Sequence, residues 1–440
     1  MTRLERLDSL LAAARAAGAE AADALLVTGA ALSVQRRLGK VEHLERSEGL
    51  DLGLRVFVGR RQAIVSATDA DPRGFQALAE RAVAMARAVP EDPLGGLGEH
   101  RAFTPPDLAL NDPAEPEAEA LLARAAAAEE AALSRPGIAS VEAEAGFSRS
   151  EIALATSQGF RGEYARSGHS ISVTAVAGQG TGMERDYDFS SAVHLADLEE
   201  AAGLGRAAAE RALKRLNPAR PRTGRRSVVY DPRVSASLAG HLAGALNGAS
   251  VARGTSFLRD RMGQRVLPAG LSLRDDPLRP RGLRSRPFDG EGMPAAPLAL
   301  VEDGILSSWV LDWRSARQLG LASTGHASRG VSGPPSPSTT NLWLEGGQGT
   351  PEALMADIAE GIYVTEMIGM GVNGVTGDYS RGAAGFMIRD GALAEPVSGI
   401  TIAGNLKDML LRLRAAGDLR FRRGTDAPTL RIDDLTVAGS

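Results

Sequence analysis

The sequence has 440 residues and a formal net charge of −4, with 50 basic and 54 acidic residues interleaved along it. That length suffices for two or three domains with cores of their own, and the even balance gives no field to gather nucleic acid or an acidic membrane surface. Cysteine is absent, which excludes disulfide scaffolds, thiol catalysis and cysteine-ligated zinc or iron–sulfur centres.

In chain order, Leu4, Leu7, Leu10, Leu11 and Ala14 recur at helical spacing and predict a first helix ending near Gly18. Acidic residues among these leucines oppose a signal peptide, and no apolar run approaches a membrane span, so a cytoplasmic protein is expected. Short runs follow at Ala22–Thr28, Ala31–Arg37, Val41–Ser47, Leu50–Val58 and Gln62–Thr68, divided by glycine or polar residues as in an antiparallel meander. Asp71-Pro72 opens a helix through Phe75, Leu78, Ala82, Val83 and Ala86. After a Pro/Gly-rich connection, Glu117–Leu133 is helix-forming, and Ile138–Phe147, Glu151–Ser157, Arg161–Arg166, His169–Ala177 and Met183–Asp188 read as strands before a helix over Leu195–Leu216. The repeated order of helix, strands and helix suggests one layered domain with an internal duplication.

Asn217–Arg225 is rich in Pro and Arg and poor in apolar residues, the composition of a boundary. The fold expected is α+β: an N-terminal layered domain of antiparallel sheet and helices over 1–220, then a mainly antiparallel β domain over 221–440. In the second domain Pro232–Leu246 reads as a helix, and Asp303-Gly304 and Asp390-Gly391 read as two-residue hairpin turns. The neighbouring carboxylates Glu184, Asp186 and Asp188, and Asp275 with Asp276, read as solvated faces or caps.

The run GIYVTEMIGMGVNGVTGDYSRGAAGFMIRDGALAEPVSGITIAGN, from Gly361 to Asn405, holds Gly369, Gly371 and Gly374 in the spacing G-x-G-x-x-G. A dinucleotide fingerprint needs a parallel strand before it and a helix after it to receive the pyrophosphate. The continuation Val375-Thr376-Gly377-Asp378-Tyr379 is glycine-rich and β-like, so structural glycine is the better reading. Glu366, Asp378 and Arg381 are polar residues inside this run, suited either to clamping a peptide backbone or to a structural ion network. The histidines His43, His100, His169, His194, His241 and His326 show no i, i+4 pair for a metal. No G-x-S-x-G elbow marks a serine nucleophile.

The same run, together with Gly254-Thr255-Ser256, resembles the TldD/PmbA family, and within it the PmbA (TldE) branch. The resemblance spans most of the chain. It implies cytosolic metalloprotease complexes in which a TldD-type subunit pairs with a PmbA-type subunit to process peptides or degrade unfolded proteins; an older description of the family is modulator of DNA gyrase. In the TldD branch the first helix of the second domain carries the zinc motif H-E-x-x-x-H. Placing Gly254-Thr255-Ser256 in register puts Ala239 and Gly240 at the first histidine and glutamate and Gly244 at the second histidine, and the family's cysteine ligand has no counterpart. Losing both imidazoles and the carboxylate removes metal grip and activated water together. The resemblance thus implies a subunit with no catalytic residues and no metal of its own, zinc being expected in a TldD-type partner, and a homodimer when isolated. Glu366, Gly369, Gly371, Gly374, Asp378 and Arg381 are then candidates for lining a peptide groove. A standalone homodimeric peptide-binding or scaffold protein is the alternative. No direct contact with nucleic acid or membrane is expected.

Overall fold

The computed structural model describes residues 1–99 and 103–439, so His100 lies outside the described residues. Helix α1 (Arg3–Ala16) starts on a capping box, Thr2 Oγ1 accepting from the Glu5 N–H while the Glu5 carboxylate accepts from the Thr2 N–H. Strands β1 (Ala21–Arg37), β2 (Lys40–Val58) and β3 (Arg61–Ala67) follow, then α2 (Phe75–Ala88). The order repeats as α3 (Ala118–Leu133), β4 (Ile138–Thr156), β5 (Arg161–Ala177), β6 (Glu184–Ala192) and α4 (Ala201–Lys214). All six strands form one sheet in the order β3-β2-β1-β4-β5-β6, antiparallel throughout, with the first strand of each unit meeting at the centre. The duplication suggested by the sequence is therefore a duplication of topology.

The strands are longer than the sequence reading allowed. Ala22–Thr28 and Ala31–Arg37 are one strand of 17 residues, and Val41–Ser47 and Leu50–Val58 lie in one strand of 19. Gly49 ends nothing; it faces Gly29 in the ladder. Around Gly29 the strand is paired on both edges, to β2 and to β4, and those ladder bonds outweigh the entropic cost of a glycine inside a strand. The same fusion makes β4 and β5 single strands of 19 and 17 residues.

Alternation along these strands sorts the two faces. Ala22, Ala24, Leu26, Leu52, Leu54 and Val56 pack against α1 and α2. Further along the same face Val34, Ala143, Ala145, Ile171 and Val173 pack against α3 and α4. These two helices approach closely because Gly205 has no side chain: a Cβ there would lie 2.1 Å from the Ala128 carbonyl oxygen. The opposite face carries Leu25, Leu154 and Phe160, which cluster with Phe288 of the second half. Beside them Asp23 is 1% exposed and pairs with both Arg55 and Arg329, accepting from Arg55 Nε at 2.8 Å. This ion triad joins the N-terminal sheet to the loop that carries Arg329.

The second half opens with β7 (Gly224–Tyr230) and α5 (Pro232–Ala245), the latter capped by Asp231 with Pro232 in its first turn. The short helix α6 (Gly248–Ala252) and strands β8 (Ser272–Asp275), β9 (Leu298–Glu302) and β10 (Ile305–Leu306) come next, then α7 (Trp313–Leu319), β11 (Ala327–Ser328), β12 (Ser336–Pro337), β13 (Leu342–Glu345) and α8 (Pro351–Met355). Strands β14 (Glu360–Ile368), β15 (Asp378–Arg389) and β16 (Ala392–Asn405), helix α9 (Leu406–Leu411), and strands β17 (Arg414–Ala415), β18 (Thr425–Asp426) and β19 (Leu430–Ala438) complete it. One sheet runs β16-β15-β14-β7-β19-β17, and β16 also pairs with β19, so five of its strands form a closed ring. Only β7 and β14 run parallel in it. A second sheet runs β10-β9-β8-β13-β18, and α5 lies between the two, with Leu238, Leu242 and Leu246 in the shared core. The fold is α+β, the N-terminal layered domain being followed by a largely antiparallel β region. Among the described residues no helix is long and apolar enough to cross a membrane.

Candidate functional site

Helix α5 places Ala239, Gly240 and Gly244, the residues that the family resemblance sets at the metal-motif positions, differently. Ala239 is buried in the core, whereas Gly240 and Gly244 are on the exposed side. A Cβ built at Gly240 or at Gly244 meets nothing within 4 Å, so this side of the helix faces open space. Because Gly240 has an ordinary helical backbone and room for a methyl group, Gly240→Ala is expected to stabilise the chain by about 0.5–1 kcal/mol. A raised thermal midpoint in calorimetry checks this; a lowered one means that the helix backbone is held by a contact the geometry lacks.

His241 is the one imidazole on that helix. Its ring packs edge-on against Tyr379 with centroids 6.1 Å apart, and burial, reinforced by the positive charge of Arg381, keeps it below its usual pKa. Beneath it Tyr379 is pushed up to about 12 and Tyr230 well above its ordinary range, both chiefly by burial. At neutral pH the group therefore comprises a neutral imidazole, two neutral phenols and one guanidinium. It includes no carboxylate to activate water, and among the described residues no group of three or more His, Asp or Glu side chains could hold a metal ion. These residues do not fit a catalytic zinc. The other described histidines lie elsewhere: His169 and His194 flank Asp112, His326 bonds buried Asp275, and His43 sits on the exposed β2 hairpin.

The glycine-rich run forms β14, a loop, β15 and β16, so G-x-G-x-x-G lies in the loop between two antiparallel strands and a strand, not a helix, follows it. Its three glycines have different roles. Gly369 has φ +77°, a left-handed conformation that favours glycine. At Gly371 a Cβ would come 1.8 Å from the Ser380 carbonyl oxygen, and the Ser380 N–H donates back to the Gly371 carbonyl at 2.7 Å. Gly374 has ordinary space around it, and its carbonyl accepts from the Phe257 N–H at 3.0 Å. That last bond joins the glycine-rich loop to the segment just after Gly254-Thr255-Ser256. In and beside this loop Ile368, Met370 and Val375 are exposed, Met370 to 91%.

The polar residues of the run do not converge. Glu366 accepts from Arg215 Nη2 at 2.6 Å and lies 3.5 Å from Arg185, both in the N-terminal half. Arg381 donates through Nε to the Gly369 carbonyl at 2.9 Å and so fixes the loop. Asp378 accepts from Thr376 and Asn405. Of the five acidic residues read as solvated faces or caps, Asp276 does cap a turn, accepting from the Leu278 N–H, whereas Asp186, Asp188 and Asp275 are buried partners. Asp186 lies between Arg215 and Arg233, Asp188 pairs with Arg211 and Arg422, and Asp275 accepts from Thr340 as well as facing His326. Their alternation in β6 sends Asp186 and Asp188 to one face, where arginines from α4, α5 and the segment before β18 neutralise them.

A second titratable cluster was not foreseen. In the Asp289-Gly290-Glu291-Gly292 loop, Asp289 accepts backbone N–H groups from Glu291, Met293 and Ala327, while Glu291 accepts from the Trp313 N–H at 2.8 Å. Burial first, and the charge of Asp289 second, raise Glu291 to about 8. The only local signal is two acidic residues spaced by glycines in a loop.

The layered N-terminal sheet, followed by the closed β ring with a helix beside it, gives the chain a two-part α+β scaffold. Family models for the PmbA/TldA metallopeptidase match in three consecutive parts: domain 1 over residues 22–86, the central domain over 111–216 and the C-terminal domain over 223–439. The chain belongs to the PmbA/TldD metallopeptidase family. It is 36% identical to metalloprotease PmbA of Escherichia coli O157:H7 over 436 residues, 98% of this chain and 94% of the relative. It is 32% identical to a PmbA homolog of Haemophilus influenzae over 93% of this chain and 90% of that one. A solved structure from Bacteroides thetaiotaomicron described as a modulator of DNA gyrase superposes with a TM-score of 0.91 at 26% identity, covering 99% of this chain and 98% of the other. TldE from Thermococcus kodakarensis shares the fold, with a TM-score of 0.87 at 20% identity over 99% of this chain and all of that one.

Proposed function

We propose that this chain is the PmbA/TldE-type, noncatalytic subunit of a TldD/PmbA-type metallopeptidase complex acting on peptides or unfolded proteins. The observation that carries the reading is helix α5, which offers Ala239, Gly240 and Gly244 where the zinc-bearing branch has ligands and base, beside a single neutral imidazole. The sequence contains no cysteine to complete such a site. Cleavage is then the work of a TldD-type partner, and this chain contributes wall and grip. Helix α5 meets β15 through the His241–Tyr379 contact, and the loop that precedes β15 exposes Met370 and Val375, apolar side chains suited to an extended peptide.

The test is metal analysis and a peptidase assay on the full chain, alone and mixed with a TldD-type subunit carrying H-E-x-x-x-H. Alone, the chain is expected to hold only substoichiometric zinc and to cleave nothing; with the partner, a co-eluting pair should gain activity. Stoichiometric zinc with activity in the isolated chain would falsify the proposal, and failure to pair would favour a standalone peptide-binding homodimer.

A further inference from the structure

The face of the N-terminal sheet that meets the second half carries a cavity beside the ion triad. Two cross-strand rows build its floor. Val27 of β1, Ile152 of β4 and Tyr164 of β5 face one another, and next to them Leu25 faces Leu154, which faces Gly162. The missing side chain at Gly162 admits Phe288 from the second half, since a Cβ there would lie 2.8 Å from the Phe288 ring. Phe288 packs edge-on against Tyr164 with centroids 5.3 Å apart. Between this floor and the second-half segments 286–290 and 328–329 lies a space of about 140 Å³. A cavity of about 150 Å³ accepts a benzene ring, so this one has room for a single ring or a short branched chain.

The polar part of the wall is unbalanced in charge. Arg286, which lines the cavity, forms no salt bridge among the described residues; its Nε is buried without a partner, and its Nη2 reaches only the Ser338 carbonyl, at 3.5 Å. Asp289, in the same wall, turns its oxygens instead to the backbone N–H groups of Glu291, Met293 and Ala327, at 2.9, 2.9 and 3.0 Å. Arg329 pairs with Asp23 through Nη1 and leaves Nε and Nη2 unpartnered, with 1% of its side chain exposed. The neighbouring Glu291, raised to about 8, holds its proton at neutral pH. Three guanidinium groups, on Arg55, Arg286 and Arg329, are thus set against two carboxylates, on Asp23 and Asp289. One positive charge is left over, and Arg286 is the member without a counter-ion.

A guanidinium fork is matched in shape and charge by a carboxylate. Pockets that combine an apolar wall with one placed charge between two parts of a chain are the common form of small-ligand sites. We propose that this joint cavity binds a monocarboxylate carried on a compact apolar group, with the carboxylate on Arg286 and the apolar part against Val27, Ile152 and Tyr164. A small free acid and the C-terminal residue of a peptide share this chemistry. Either one touches both halves and so tightens the joint. The inference does not rest on the noncatalytic reading, which its failure would leave intact.

The test is titration calorimetry on the full chain with three probes: phenylacetate, its uncharged isostere phenylacetamide, and an acetylated tripeptide ending in leucine. At least one of the two carboxylates is expected to bind once per chain, and phenylacetamide about 10–100-fold more weakly than the acid, the factor carried by a charge-assisted hydrogen bond. Tighter binding of the tripeptide assigns the cavity to a peptide end, and tighter binding of phenylacetate to a free acid; both uphold the proposal. Arg286→Gln should erase the preference for acid over amide, and Val27→Phe, which fills the cavity, should abolish binding of all three. The thermal midpoint should rise with the bound acid in the parent protein and stay fixed in Arg286→Gln. The acid–amide comparison uses the parent protein alone, so it stands whatever a variant does to folding. Equal affinity for acid and amide, no saturable binding of either carboxylate, or unchanged acid binding in Arg286→Gln would each overturn the proposal.

Discussion

Asp23→Ala is expected to destabilise the protein by about 3–5 kcal/mol, the cost of leaving buried guanidinium groups without their counter-ion. Asp23 is 1% exposed, and Arg55 and Arg329, the latter from the other half of the chain, converge on its two oxygens. Burial opposes the charge, yet Arg329 and Arg55 more than offset this and hold the carboxyl below its usual range. The contribution is therefore present above the ordinary aspartate value and is lost as pH falls towards the depressed one. Urea unfolding of Asp23→Ala measures the effect, with Asp260→Ala in the exposed Arg259–Asp260 pair as a control that should change little. Equal midpoints for the two variants would show that the triad adds nothing to the joint between the halves.

The second large effect has the opposite sign in pH. Glu291 ionises at about 8 in the folded protein because burial and the neighbouring Asp289 disfavour its charge, whereas the unfolded chain ionises near the ordinary 4.5. Below that value both states hold the proton and there is no difference. As pH rises towards 8 the unfolded state releases its proton freely and the folded state does not, so stability falls by up to about 1.4 kcal/mol per pH unit. Above that window the loss levels off. Glu291→Gln keeps an oxygen for the Trp313 N–H and removes the titration, so its urea midpoint should pull ahead of the parent protein's between about pH 5 and 8. Parallel curves over that range would mean that Glu291 is solvated or paired more strongly than its surroundings indicate.

Local chemistry was legible in the sequence, and partners distant in the chain were not. Asp303-Gly304 and Asp390-Gly391 were read as hairpin turns, and both pairs have positive φ at both residues, +47° and +79°, then +48° and +80°. Helices α2, α3 and α5 were visible from caps and periodicity. The glycine-broken strands were read too short because the pairing that sustains Gly29 and Gly49 comes from strands elsewhere in the chain. The same distance hid the partner of Glu366, since Arg215 lies 151 residues away, and made the buried aspartates of β6 look solvated. The reading of Ala239, Gly240 and Gly244 as former ligand positions rests on register with a family motif, whereas the open space around Gly240 and Gly244 is visible only in the folded chain.

The closed ring of the second half also sets an order of events during synthesis. Its opening strand, β7, bonds to β14 on one side and β19 on the other, and β19 also seals the ring against β16. The six strands of the N-terminal sheet pair mainly with near neighbours in sequence and can assemble while the ribosome is still working. β7, by contrast, must wait for β14, which starts at Glu360, to cover one edge and for β19, which starts at Leu430, to cover the other. Such long-range pairing is slow, and its apolar residues Val228 and Val229 stay exposed meanwhile. The interval before β19 arrives is thus the chain's most vulnerable to aggregation.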